Sequence, residues 1–372
     1  MRIKTITCHN VYNAGASLQA FALTEYLRGK GHDVEIIDYL PIYLNHYPLY
    51  GTSHPKYQKP ILKFLYSMAK LPKRLIARWE ERKKNFDRFT QTYLHCTSKR
   101  YTSFDALCAA PPEADVFFAG SDQIWNTAFQ NGKDPAFYLQ FAPCDAVRAS
   151  YAASFATEKV ESGWSDQISA WIRVFDHVSV RESSGLAILK EFAIPGELVL
   201  DPVFLLSQAR WKNLCREIPD LEEYILVYDF DRNEAIRAFA EEYAKKHGCK
   251  IYAYQNRPYA HRTFQNMGPL EFLSLLANAK FVISNSFHAT AFSLIFEKPF
   301  VVINRKEKIN TRMADLLSLV GLSNRLLLQN QFDEADFEPI DYSSARTRLE
   351  ERTEASKAYI SAVLDTAKVH KT

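Results

Sequence analysis

The chain has 372 residues, 47% of them hydrophobic and 24% charged, with a formal net charge of +3. That is ordinary globular composition, long for one domain and able to bury a sizeable core, with no internal repeat or low-complexity tract. So small a net charge gives no electrostatic footprint for nucleic acid, and no apolar run approaches the roughly 18 residues needed to cross a bilayer.

Met1-Arg2-Ile3-Lys4-Thr5-Ile6-Thr7 reads as a strand with no secretory apolar region before it, so the expected location is cytoplasmic. Short β-rich runs then alternate with longer helical patterns, the signature of βαβ units and a mostly parallel sheet. Strands are predicted from Ile3 to Thr7, Val34 to Asp38, Val116 to Ala119, Ala149 to Ser154, Val178 to Arg181 and Leu198 to Leu200. The pattern resets near Asp201-Pro202, since Pro202 disfavours helix for the residue before it. Beyond it, strands are predicted from Tyr224 to Tyr228, Lys250 to Tyr254, Phe281 to Ser284, Phe300 to Ile303 and Arg325 to Leu328. Helices are predicted from Glu234 to His247, Pro269 to Asn278, Thr290 to Phe296 and Arg312 to Val320. The fold class is α/β: two Rossmann-like domains facing a cleft, over 1–203 and 204–340. Residues 341–372 carry Leu349, Tyr359, Ile360, Val363 and Leu364 among charges and read as one amphipathic helix.

Positive charge is concentrated. Between Lys56 and Arg88 eleven Lys/Arg face three Asp/Glu, a local +8 within a chain of +3. This segment reads as a basic helical insertion over about 56–95, in which Leu75, Trp79, Phe86, Phe89 and Tyr93 recur at helical spacing among Lys73, Arg74, Arg78, Arg82, Lys83 and Lys84. A solvated helical hairpin is the plainer reading. The sharper one is a membrane surface contact through 61–93, with Ile61, Leu62, Phe64 and Leu65 against an anionic bilayer or a lipid diphosphate. Six cysteines are scattered without a C-x-x-C pair, and no carboxylate cluster demands a cation, so no metal is expected.

The most informative stretch is Ile283-Ser284-Asn285-Ser286-Phe287-His288-Ala289-Thr290-Ala291, where an apolar strand passes through a polar turn into a helix. A helix start at the carboxyl edge of an α/β sheet presents unpaired N–H groups and a positive dipole end to an anion. His288 stands in that field, either as a working imidazole or as hydrogen-bonded structure. Arg181 ends a strand beside Glu182 and Arg312 opens a helix; each is a candidate anion fork or a solvated ion pair. Gly120-Ser121-Asp122-Gln123 follows a strand with the small polar side chains that a sugar or phosphate contact needs, or with a helix cap. Trp125 reads as core rather than as a sugar platform. Asn13 and Gly15 open the first crossover without a G-x-G-x-x-G fingerprint, which argues against a dinucleotide cofactor.

Five segments together resemble the polysaccharide pyruvyltransferase family: Cys8-His9-Asn10-Val11-Tyr12-Asn13-Ala14-Gly15-Ala16-Ser17-Leu18-Gln19-Ala20, Gly120-Ser121-Asp122-Gln123-Ile124-Trp125-Asn126, Val180-Arg181-Glu182-Ser183, Leu200-Asp201-Pro202-Val203, and the His288 segment through Lys298-Pro299-Phe300. Thr311-Arg312-Met313-Ala314-Asp315-Leu316-Leu317 resembles the arginine-led helix that follows. The resemblance implies a GT-B-like fold whose C-terminal helix crosses back to the first domain. It implies transfer of pyruvate from phosphoenolpyruvate to a hydroxyl pair of a galactose- or mannose-type sugar in a polyprenyl-diphosphate-linked oligosaccharide, for capsule or exopolysaccharide. No cofactor is then expected beyond the phosphoenolpyruvate co-substrate. His288 and Arg181 would be catalytic, and Asn13, Gly15, Ser121, Asp122, Gln123, Asn126, Ser286, Thr290 and Arg312 would bind substrate. The chain departs from the family at Ser286, where some members carry arginine, and at Ala289, often glycine. The alternatives are a nucleotide-sugar-dependent glycosyltransferase of the same fold and a glycan-binding protein with a decayed site.

Overall fold

The computed structural model describes residues 1–44, 68–69, 80–304, 311–327 and 332–369. Most of the basic segment, including Ile61, Leu62, Phe64, Leu65, Lys73, Arg74, Leu75, Arg78 and Trp79, lies outside the described residues. The chain divides into two compact units, residues 1–202 with 356–372, and residues 203–355.

The first unit runs β1 (Arg2–Ile6), α1 (Ala14–Gly29), β2 (Asp33–Tyr39), α2 (Glu81–Tyr93), β3 (Cys96–Tyr101), α3 (Phe104–Ala109), β4 (Val116–Ala119), β5 (Val147–Ser150), α4 (Ser165–Ile172), β6 (Ser179–Val180), α5 (Ser183–Glu191) and β7 (Glu197–Leu198). Five strands form a parallel sheet in the order β3-β2-β1-β4-β5, while β6 and β7 pair separately. The order reverses at β1, so the gap between the ends of β1 and β4 is a topological switch point, where such sheets hold ligands. Ile3, Ile6, Val34, Ile36 and Val116 to Ala119 are fully buried, as expected of parallel strands covered on both faces. Asn13 starts α1 by accepting from the Ala16 N–H at 3.3 Å.

Gly120, just after β4, has φ 122°, and a Cβ there would lie 2.3 Å from the Tyr151 carbonyl oxygen. Only glycine fits. Helix α2 packs its aromatic residues inward: Phe86 and Phe89 are buried, Phe86 against Tyr12 at 5.7 Å and Phe89 against Phe21 at 6.3 Å. Those two rings are therefore unavailable to a bilayer, which corrects that part of the expected 61–93 contact face. Trp125 is core, stacked on Tyr138 at 5.6 Å with its indole N–H donating to the Phe137 carbonyl at 3.1 Å.

The second unit runs α6 (Gln208–Lys212), β8 (Tyr224–Tyr228), α7 (Glu234–His247), β9 (Lys250–Ala253), β10 (Arg262–Thr263), α8 (Pro269–Asn278), β11 (Phe281–Ser284), α9 (Phe287–Ile295), β12 (Phe300–Ile303), α10 (Thr311–Val320), β13 (Leu326–Leu327) and α11 (Ser343–Val369). Its parallel sheet has the order β10-β9-β8-β11-β12-β13, with a second switch point between β8 and β11. Asn233 caps α7, which stops at Gly248 in the left-handed conformation. Helix α8 starts with Pro269 at its first turn, and the Gly268 N–H donates to Glu271 at 3.0 Å.

Helix α11 passes from the second unit into the first. In the second, Arg346 makes a two-toothed pair with Glu297 at 2.7 and 3.0 Å. In the first, Tyr359 donates to the Ser150 carbonyl at 2.8 Å and Ser356 accepts from the Leu200 N–H at 2.9 Å. The C-terminal helix thus returns to the domain that begins the chain.

Candidate active site

In the first unit the motif residues converge at the β1/β4 switch point. Thr7, just past β1, donates to the Ser121 carbonyl at 2.8 Å and accepts from the Gln19 amide at 2.9 Å. Ser121 is fully buried, with its hydroxyl donating to the Ala152 carbonyl at 2.7 Å. It fixes the loop from inside rather than facing a substrate. Asp122 holds a left-handed backbone, φ 70°, unusual for a residue with a Cβ. Its carbonyl accepts from the N–H groups of Ile124 at 2.8 Å and Ser154 at 3.0 Å, so neighbours on both sides determine that conformation. Gln123 and Asn126 join side chain to side chain at 2.9 Å, and Asn126 also accepts from the Ala128 N–H at 3.1 Å. Asn13 spends its oxygen on the helix cap, and Gly15 is buried in the first turn of α1.

Arg181 sits among carboxylates. Its side chain is 1% exposed and meets Asp201 at 2.5 Å, Asp122 at 3.6 Å and Glu182 at 4.0 Å. Glu182 in turn accepts from the backbone N–H groups of Phe155 at 2.8 Å and Ala156 at 3.1 Å. Burial opposes the Arg181 charge, yet Asp201, Asp122 and Glu182 more than offset it and raise its pKa. This positive charge is matched by the chain's own acids. The geometry makes Arg181 a strut behind Asp122, in place of the expected fork for a donor anion.

His9, present in the opening motif but not singled out from sequence, is buried at the end of β1. Its Nε2 lies 3.4 Å from Asp38, which also accepts from Arg100 Nε at 2.8 Å. Burial disfavours the imidazolium, but the neighbouring Asp38 carboxylate and Cys96 sulfur outweigh it and raise the pKa to about 9. The reciprocal effect holds on Asp38: burial pushes its carboxyl up, and His9 and Arg100 bring it below its ordinary value.

In the second unit, helix α9 begins three residues before the sequence predicts, which puts His288 in its first turn. Ser286 is the N-cap, accepting from the Ala289 N–H at 3.5 Å, and Thr290 donates back to the Ser286 carbonyl at 3.0 Å. Both hydroxyls serve the cap, a task an arginine at 286 could not perform. Ala289 lies within helical backbone, where no glycine is needed. The Phe287 ring touches both proposed donor contacts, with the His288 ring 5.3 Å and the Arg312 guanidinium 5.8 Å from its centre. His288 and Arg312 are each 7% exposed.

A buried network beside them escaped the sequence reading. Asn285 donates to Asp229 at 3.1 Å and Asp231 at 2.6 Å, and accepts from the Phe230 N–H at 3.0 Å. Asp229, fully buried, accepts from Arg257 Nε at 3.1 Å and from the Asn233 N–H at 3.0 Å. It ties the ends of β8, β9 and β11 into one rigid edge. Among the described residues no group of three or more His, Cys, Asp or Glu could hold a metal ion, and no helix is long and apolar enough to cross a membrane.

Comparison with curated proteins by sequence returns no match. Among solved structures, a UDP-N-acetylglucosamine 2-epimerase is similar at TM-score 0.53 and 10% identity, covering 100% of this chain and 97% of that one. A Listeria monocytogenes protein described as the same enzyme gives 0.52 at 8% identity, over 100% and 89%. These likenesses show the fold alone, two Rossmann-like domains of GT-B type. The family model for polysaccharide pyruvyl transferase matches residues 13–307, from the cap of α1 past His288. With that match running through both switch points, the chain belongs to the polysaccharide pyruvyl transferase family and is a transferase enzyme.

Proposed function

We propose that the protein transfers pyruvate from phosphoenolpyruvate to two hydroxyls of a galactose- or mannose-type sugar, forming a ketal and releasing phosphate. The observation that carries the reading is the first turn of α9, where a buried histidine and a buried arginine share the Phe287 ring at a helix N-terminus. The donor carries phosphate and carboxylate on one small enol, and Arg312 with the α9 N–H groups supplies charge and donors for both. His288 delivers a proton to the methylene carbon, which becomes a methyl group and leaves the adjacent carbon electrophilic. One sugar hydroxyl adds there and gives up its proton, restoring the one spent. The second displaces phosphate, and its proton leaves with the phosphate or solvent.

The acceptor proposed is a lipid-linked oligosaccharide on a polyprenyl diphosphate, and the protein works as a cytoplasmic or peripheral enzyme in capsule or exopolysaccharide synthesis. Phosphate release from phosphoenolpyruvate, measured with such acceptors, tests the reading. His288→Ala should lower turnover by about 10²- to 10⁴-fold, the usual contribution of a general acid. Turnover of a nucleotide sugar in place of phosphoenolpyruvate would instead support glycosyl transfer, which the same fold accommodates.

A further inference from the structure

A cavity of about 440 Å³ opens in the second unit between the first turns of α7 and the segment joining β9 to β10, apart from the His288 turn. Its size is within the range of small-ligand sites and suits one or two sugar rings. Arg232, Arg237 and Arg257 face it along with Glu234 and Glu241. With Asp229 behind the wall counted, the three arginines meet three carboxylates: Arg237 pairs with Glu241 at 3.0 Å and Glu234 at 3.8 Å, and Arg257 is held from behind by Asp229 at 3.1 Å. A site for phosphate or carboxylate needs cations in excess, and the summed charge here is zero.

What remains is a lining of planar polar groups that both donate and accept. The hydroxyl of Tyr259 is buried and has no hydrogen-bond partner among the described residues, while its ring packs on the core of the unit. The buried phenol keeps its proton, since burial raises its pKa, and so it stands as a donor wanting an acceptor. The Arg237 guanidinium lies 5.9 Å from the Tyr259 ring centre, and the exposed Asn256 amide lies at the rim. Paired carboxylate, guanidinium, amide and phenol suit the adjacent hydroxyls of a neutral sugar, each of which gives and takes a hydrogen bond.

We propose that this cavity is a second glycan subsite, binding an uncharged sugar residue of the acceptor away from the one that is modified. The proposal rests on the polysaccharide reading of the reaction only for why such a ligand should be present. The Arg257-Asp229-Asn285 chain links the cavity's back wall to the turn that carries His288, so both lie on one edge of the second sheet. A glycan held here would raise the affinity for long acceptors and leave the chemistry of a short one unchanged.

The test is titration of the full-length protein with neutral di- to tetrasaccharides of galactose, mannose and N-acetylglucosamine, followed by saturation-transfer NMR and calorimetry. Wild type, Tyr259→Phe, Asn256→Ala and His288→Ala are compared. Tyr259→Phe keeps the packed ring, so its melting temperature should match wild type while saccharide affinity falls by about three- to tenfold, the loss of one hydrogen bond. His288→Ala should bind as wild type does. Three outcomes would overturn the subsite: no saccharide bound at millimolar concentration, binding indifferent to both Tyr259→Phe and Asn256→Ala, or binding lost in His288→Ala. Inorganic phosphate bound in a Tyr259-dependent manner would make the cavity an anion site and also defeat the proposal. Failure to turn over phosphoenolpyruvate would strike the proposed reaction without touching these binding results.

Discussion

Removing the positive charge at Arg181 should unfold the first unit more readily than any surface change. Arg181→Met is the perturbation, since it keeps the volume and removes the guanidinium. Asp201 and Glu182, both 0% exposed, would then stay buried without the cation at 2.5 and 4.0 Å. Breaking a buried pair from one side costs about 3–5 kcal/mol, because the buried carboxylates can neither hydrate nor recover a cation. Against a total stability of about 5–15 kcal/mol this is a large fraction. Urea unfolding followed by tryptophan fluorescence is the assay. Among the described residues Trp125, Trp164 and Trp171 belong to the first unit and report on it. With a urea slope near 3 kcal/mol/M the midpoint should fall by about 1–2 M. Arg181→Lys keeps the charge but not the planar fork and should fall between the two. A midpoint shift below about 0.3 M in Arg181→Met would refute the carboxylate-cage account and return Arg181 to the donor.

Two further outcomes follow from the same physics. The His9 pKa is raised from 6.5 to about 9, so its contribution is complete below pH 6.5 and disappears as the pH rises through 9. On the order of 3 kcal/mol is at stake, so the melting temperature of the wild type should decline between pH 7 and 9.5 and His9→Gln should flatten that decline; parallel curves would contradict it. At the α9 cap, Ser286→Ala should cost about 0.5–2 kcal/mol in chemical denaturation, and Ser286→Thr should recover most of it. An unchanged Ser286→Ala midpoint would mean that the cap does not hold the turn.

Five of the six strands of the second unit were legible because each holds a short apolar run bounded by polar turns: Phe281–Ser284 and Phe300–Ile303 stand where the pattern puts them, whereas the two-residue β10, Arg262–Thr263, has no apolar signal. Strand β3, Cys-Thr-Ser-Lys-Arg-Tyr, was not, since an edge strand with three consecutive exposed residues has no apolar signal. The start of α9 was displaced because Ser286 caps the helix ahead of its first strongly apolar stretch, a local hydrogen bond that periodicity does not register. Arg181 was visible as a candidate, but its role depends on Asp122 and Asp201, which lie 59 and 20 residues away in sequence. The Asp229-Arg257-Asn285 network was hidden for the same reason, since only the strand order brings its members to one edge.

The central claim is that the α9 turn with Arg312 receives phosphoenolpyruvate, and a thermal-shift titration tests it most directly. Wild type, His288→Ala and Arg312→Met are melted with phosphoenolpyruvate, UDP, GDP and CMP. A ligand at one hundred times its dissociation constant stabilises the native state by about 2.7 kcal/mol, enough to read as a rise of several degrees. The account predicts that phosphoenolpyruvate alone gives that rise in wild type, and that Arg312→Met abolishes it. Stabilisation by a nucleotide instead, or by phosphoenolpyruvate equally in Arg312→Met, would contradict it.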